Sequence, residues 1–408
     1  MATELLTPEF VRNPWPELAR LREHDPIHWD ERYAAWVITR YADVAEGHKD
    51  SRLSSDRIGP YLTRLERDNA PANVIATFRV LADWMTFKDG GDHRRLRSLF
   101  SKAFTPRSVE RMRERIAEIT NELIDGIAGE QEVDFVERVA YPLPAIVISE
   151  LLGVPPADRD RFKAWSDDIT ALVFGAAGEG DRHERSHVGM AQLVEYLEGR
   201  IAEARRSPGD DLVSGLVRAA EGSDGLSEAE IVSTCTLLLF GGHETTTNLL
   251  SGGTLCLLTH PEQAAQVAAD PALEASAVEE MLRFEGPARL DVRIVGEPHE
   301  LQGRELKPGQ RVFLVVAAAN RDPRTFDRPD EFDVTRKPNP HLTFGLGPHY
   351  CLGAPLARLE GQIAFPIILR RLPELALAAA PETLEWQPVL LSRALAQLPV
   401  RVGRVLPA

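Results

Sequence analysis

Phe344-Gly345-Leu346-Gly347-Pro348-His349-Tyr350-Cys351-Leu352-Gly353 is the stretch on which the reading of this chain turns. Three glycines and a proline force a tight loop, and the residues that follow, Ala354 to Phe365, carry a helical pattern. Cys351 therefore stands near a helix N-terminus, where backbone N–H groups favour a thiolate. A lone thiolate in a glycine loop suits a single axial bond to a planar cofactor. Zinc would need about four ligands, and no neighbouring Cys or His cluster supplies them. The alternative at this point is a structural cysteine in a glycine-rich turn.

Outward from the loop, most of the chain reads as helix. Arg107 to Ile127, His183 to Arg206 and Glu228 to Leu258 are long helical patterns rich in Ala, Leu, Glu and Arg. Strand-like stretches are short: Tyr33 to Thr39, Arg289 to Val295 and Arg311 to Val316. Ser51 to Gly91 reads as looser, and Phe174 to Asp181 as a glycine-rich mobile connection. Arg321 to Pro340 reads as an irregular but ordered coil. The run Ile231 to Leu258 would span about 42 Å as a helix and is apolar nearly all round at both ends. Its centre, Gly241-Gly242-His243-Glu244-Thr245-Thr246-Thr247-Asn248, rules out a membrane span. Small and polar residues there are costly unless they line a cavity.

A net charge of -15 over 408 residues argues against a nucleic-acid partner, which would need a basic surface. Three cysteines, Cys235, Cys256 and Cys351, make no disulfide framework and suit a reducing compartment. Met1 to Phe10 carries neither a basic nor an apolar export region and no membrane anchor, so the chain is expected in the cytoplasm.

The loop resembles the haem-binding loop of the cytochrome P450 family, Phe-Gly-x-Gly-x-His-x-Cys-x-Gly. Thiolate-ligated haem iron is that family's established chemistry and is not read from the spacing. The likeness runs along nearly the whole chain. Glu280-Met281-Leu282-Arg283 is similar to the family's Glu-x-x-Arg helix, with Arg336 expected to complete a buried triad that fixes the coil presenting Cys351. Ala319-Asn320-Arg321-Asp322-Pro323, with Phe326 and Phe332, fits the bacterial members.

The resemblance implies that His93, Arg97, Arg293 and His349 pair with the two propionates of haem b, and that Cys351 ligates the iron. Gly90-Gly91 departs from the two prolines common in relatives, which would loosen the approach to the His93 helix. Gly241-Gly242-His243-Glu244-Thr245 resembles the oxygen-activation motif, in which Glu244 and Thr245 deliver protons beside a locally opened helix. Cys235 and Cys256 read as small core residues.

The expectation is one mostly helical domain with small β-sheets, residues 1–408. It would insert one atom of O2 into a small organic substrate, with electrons from a separate ferredoxin or flavodoxin and its reductase. Arg358 is a candidate contact for that partner. Rival readings are a haem-thiolate peroxygenase or isomerase, a non-catalytic haem sensor or electron carrier, and a cysteine hydrolase. The resemblance places the substrate pocket between Ser51–Gly91, Trp165–Gly180, Leu237–Thr245, Ala288–Val292 and Leu391–Ala396. Arg289 stands near its wall, as an anchor for an acidic substrate or as a partner for a propionate or Asp291.

Overall fold

A computed structural model describes residues 5–173, 182–220 and 225–408. The chain divides into two compact units. The first comprises Met1–Leu53, Arg113–Pro144 and Glu244–Ala408, and the second Ser54–Met112 and Ala145–His243.

In the first unit, four strands of the main sheet lie in the order Ile27–Asp30, Ala35–Ile38, Arg311–Leu314, Asp291–Val295. Ala35–Ile38 runs parallel to Arg311–Leu314, which pairs antiparallel with Asp291–Val295. Side chains alternate across a strand, and this sheet uses both faces. Val37, Phe313 and Val315 enter one apolar cluster with Leu18, Leu21 and Leu290. Ile38, Val312, Leu314 and Val316 enter another with Val44 and Val295. Burial on both faces is why Val312 to Val316 reads as one unbroken apolar run. A second sheet joins Glu132–Asp134, Pro399–Arg401 and Ala376–Leu377. Gln302 and Gly303, both at positive φ, close the hairpin His299–Leu301/Arg304–Leu306.

Glu280 and Arg283 on the helix Glu274–Phe284 are brought against Arg336, as the family resemblance implied. Arg283 donates to both Glu280 oxygens at 2.8 and 2.7 Å, and Arg336 Nε lies 3.1 Å from each. The remaining guanidinium N–H groups reach the carbonyls of Asn320, Asp327, Arg328, Pro329 and Glu331. These acceptors lie in or beside the irregular coil from residue 321 to 340, which has neither helix nor strand and is ordered by this triad instead.

The second unit is helical. Gly90–Ala103 packs on Leu212–Ala219, Arg182–Arg206 packs on both Leu212–Ala219 and Arg159–Val173, and the unit also holds the first half of Glu228–Thr259. That helix is continuous, its residues up to His243 belonging to the second unit and those from Glu244 to the first. Trp84, wholly buried, donates its indole N–H to Thr236 at 2.8 Å.

Three expectations need correction or restriction. Ser51 to Gly91 is not loose: it contains the helices Gly59–Arg67 and Ala72–Ala82 and the turn Met85–Phe87. The pattern from Arg107 to Ile127 is two helices, Pro106–Glu110 and Arg113–Asp125, with a break at Arg111–Met112. The glycine-rich connection Phe174 to Asp181 lies outside the described residues.

Candidate haem and oxygen site

The cysteine loop closes on itself. Cys351 N–H donates to the Phe344 carbonyl at 2.8 Å, and Tyr350 N–H to Gly347 at 3.1 Å. Gly345 and Gly347 hold φ of +67° and +69°, a region that suits glycine. The loop then enters the helix Ala354–Arg371, whose Ala357 N–H donates to Gly353.

A linked set of side chains holds the loop and its approach in place. Asn320 accepts from Leu342 N–H at 2.7 Å and donates to the Thr343 hydroxyl at 2.9 Å, which in turn donates to the Leu282 carbonyl. Arg358 lies over the Phe344 ring, donates to the Tyr350 hydroxyl at 2.9 Å and grips both oxygens of Glu279 at 2.7 and 2.8 Å. His341 meets Glu279 at 3.0 Å. Burial alone would raise the Glu279 carboxyl, but hydrogen bonds from Arg358 and His341 prevail and hold it down to about 2. Arg358 was expected as a contact for a redox partner. Its charge is engaged within the chain by Glu279, and the same bond pushes its pKa up.

The three cysteines differ in kind. Cys235 and Cys256 are buried, and burial pushes the first thiol up to about 12 and the second well above its ordinary value. Both are inert core thiols. Cys351 is exposed at the head of its helix. Among the described residues no three His, Cys, Asp or Glu side chains converge as a metal-binding group. The donor set therefore fits an iron that carries its other ligands with it, as haem iron does.

Arg293, in the first unit, projects from Asp291–Val295 with its Nη1 on the Val292 carbonyl at 3.0 Å. His349 is half-buried on the turn Gly347–His349 of the cysteine loop. In the second unit His93 is buried and Arg97 half-buried, four residues apart on Gly90–Ala103. The approach to that helix is not loosened. Asp89 accepts from the Ser54 hydroxyl and the Ser55 N–H, and Gly90 sits at φ +57°, where proline's ring cannot go.

Glu244 and Thr245 are half-buried on the long helix, just before the buried run Thr246–Leu250. The helix runs through them without the local opening that the family motif led us to expect. His243 lies 3.1 Å from the Leu239 carbonyl and 3.3 Å from the Ser166 hydroxyl. Gly241 is exposed, and a Cβ there would meet nothing within 4 Å, so open space lies beside the middle of the helix.

Arg289 does not pair with Asp291 but turns to the N-terminal segment. It is buried, 3.4 Å from the Leu5 carbonyl and over the Phe10 ring, in the neighbourhood of the Glu285–Arg393 pair. Burial first, and Arg393 second, pull it down to about 9. A cleft of about 660 Å³ in the second unit is lined by residues such as Lys102, Thr105, Glu150 and Leu212. None of the segments expected to form the substrate pocket contributes to it.

Sequence reasoning missed Asn320, Glu279 and His341 as supports of the loop. Asn320 stood within a quoted pattern without a role, and the other two carry no spacing that ties them to Cys351.

The profile of the family described as "Cytochrome P450" matches residues 67–270 and 271–395. This chain belongs to the cytochrome P450 family. It is 40% identical over 403 residues to the polyketide biosynthesis cytochrome P450 PksS of Bacillus subtilis, covering 97% of each chain. It is 39% identical to the cytochrome P450 monooxygenase PikC of Streptomyces venezuelae, over 97% of this chain and 92% of that one. Among solved structures, P450BioI in complex with a hexadec-9Z-enoic acid ligated acyl carrier protein superposes with a TM-score of 0.89. It shares 36% identity, over 97% of this chain and 99% of that chain. The fold is thus the mainly helical P450 fold with small sheets. The chain is an oxidoreductase of the P450 monooxygenase class, a family that binds haem iron and acts on small molecules. Among the described residues no helix is long and apolar enough to cross a membrane.

Proposed function

We propose that residues 1–408 form one haem domain, a cytoplasmic monooxygenase that inserts one atom of O2 into a small organic substrate by hydroxylation or epoxidation. Cys351 would hold the iron of haem b. Arg293, His349, His93 and Arg97 would pair with its propionates, arginine supplying the forked donors that carboxylates prefer. When bound, the thiolate-ligated haem supplies the oxygen chemistry, with electron density from sulfur favouring O–O cleavage.

The observation that carries this reading is the state of Cys351. It is the one exposed cysteine, on a loop closed by its own N–H, while the other two are buried as protonated thiols. The ferrous carbonyl complex should show a strongly red-shifted Soret band, and Cys351→His should abolish that shift while retaining some haem. A Cys351→His variant with an unchanged thiolate spectrum overturns the assignment.

Thr245 and Glu244 hold and move protons beside the open space at Gly241. Thr245→Ala should bind substrate and accept electrons, yet release more hydrogen peroxide per electron pair. Full coupling in that variant, on substrates lacking hydroxyls, would favour a peroxide-using enzyme. Electrons are proposed to come from a separate ferredoxin or flavodoxin and its reductase. Omitting the reductase should stop NADPH-driven turnover, and turnover without it refutes the partner requirement. A spectral binding screen across natural products is the direct route to the substrate.

A further inference from the structure

His48 ends the short helix Tyr41–Gly47, and its side chain is wholly excluded from solvent. Its backbone carbonyl lies 3.2 Å from where a Cβ on Gly347 would be, and its ring 3.8 Å from that position at Gly345. The ring is therefore packed on the turn that presents Cys351. On its other side Nε2 is 3.6 Å from Asp291 Oδ2, within ion-pair range. Among the described residues neither ring nitrogen has a partner at full hydrogen-bond length, an uncommon and costly state for a buried imidazole, so the carboxylate of Asp291 is the nearest group of opposite polarity given for it. Burial pushes the imidazole pKa down, Asp291 opposes this, and Arg293 and His349 push it down further.

Asp291 and Arg293 are two apart on one strand and so share a face. The guanidinium nonetheless has no ion pair with this neighbouring carboxylate: Asp291 lies toward His48 instead. An arginine meant for a ligand carboxylate must be kept from one on its own strand. We propose that His48 is a positioning residue that draws Asp291 aside, so that Arg293 is left to the haem propionate. This rests on the reading of Arg293 as a propionate partner. His48 does not touch the haem; it acts through Asp291.

The test is haem transfer from the ferric holoenzyme to excess apomyoglobin, followed by Soret absorbance. His48→Leu lets Asp291 turn to Arg293 and should speed transfer by roughly fivefold, the loss expected when one charge-assisted contact is weakened. Adding Asp291→Asn to that variant should return the rate to near wild type, a rescue that general loosening of the loop would not give. His48→Gln, which keeps an N–H at that end, should stay near wild type. In resonance Raman spectra the propionate bending band should move in His48→Leu and return in the double variant. Arg293→Ala fixes the baseline by speeding transfer. If Arg293→Ala is fast but His48→Leu matches wild type, the proposal is overturned. It is equally overturned if Asp291→Asn fails to rescue. Should Arg293→Ala itself match wild type, the propionate assignment falls, and this proposal with it.

Discussion

Glu280 and Asp291 are carboxylates of the same unit, each set beside arginines, and they are handled in opposite ways. Glu280 is wholly buried and saturated: two guanidiniums, the Asp333 N–H and the Asn339 amide all point at it. Its arginines spend their other N–H groups on backbone carbonyls. Asp291 is about 40% exposed and, among the described residues, meets only the edge of His48 at 3.6 Å and leaves Arg293 on its own strand without an ion pair. A charge cluster that holds a fold is closed internally. One that serves a ligand keeps part of its capacity in reserve. Burying charge is tolerable in the first case because every partner is present, whereas in the second, on the proposed reading, a haem propionate would be one of the partners.

The contrast can be broken most forcefully at Glu280. Glu280→Ala leaves Arg283 and Arg336 buried without their counter-charge and should cost about 3–5 kcal/mol, read by urea unfolding. A loss below about 1 kcal/mol would mean that the triad is not the closed structural cluster described. Arg293→Ala and Arg97→Ala should do the reverse, changing stability little but accelerating haem loss. Each charge-assisted contact to a propionate is worth about 1.5–3 kcal/mol before screening. Arg218→Ala, whose residue donates to the Gly209 carbonyl away from the cysteine loop, is the control and should retain haem as wild type does.

Acid sharpens the same distinction. Glu279 is held down to about 2 in the folded chain, below its ordinary value of 4.5. A depressed carboxylate stabilises the fold above its unfolded pKa, and that contribution is lost as pH falls through the folded one. Stability should therefore decline between about pH 4.5 and pH 2, and Glu279→Gln should flatten that part of the pH–stability curve. An unchanged slope would show that the Arg358–Glu279 grip contributes nothing. The smallest effect is expected at Gly90, where Ala at φ +57° should cost about 1 kcal/mol in thermal unfolding.

What the sequence made legible was whatever is continuous along it. The cysteine loop is ten consecutive residues, and Glu280 and Arg283 are one helical turn apart. Even Arg336 could be placed, because it lies in the coil that leads to the loop. The helix Gly59–Arg67 escaped notice because it is only nine residues long, opens on Gly59-Pro60 and buries none of its residues fully. The break at Arg111–Met112 carries no glycine or proline, and the pattern runs across it. The partners of Arg289, Leu5 and Phe10, could not be read because they lie more than half the chain away. His48 was passed over for the same reason, since residues 48, 291 and 345 meet only once the chain has folded.

The clasp on the cysteine loop has a direction in time. Glu279, Leu282, Asn320 and His341 all precede Cys351 in the chain, and of the clasping groups named only Arg358 follows it, seven residues later. Domains are built from the N-terminus as the ribosome releases them. The seat of the thiolate is thus synthesised before the thiolate, and a cysteine emerging from the ribosome meets a mould that lacks a single side chain.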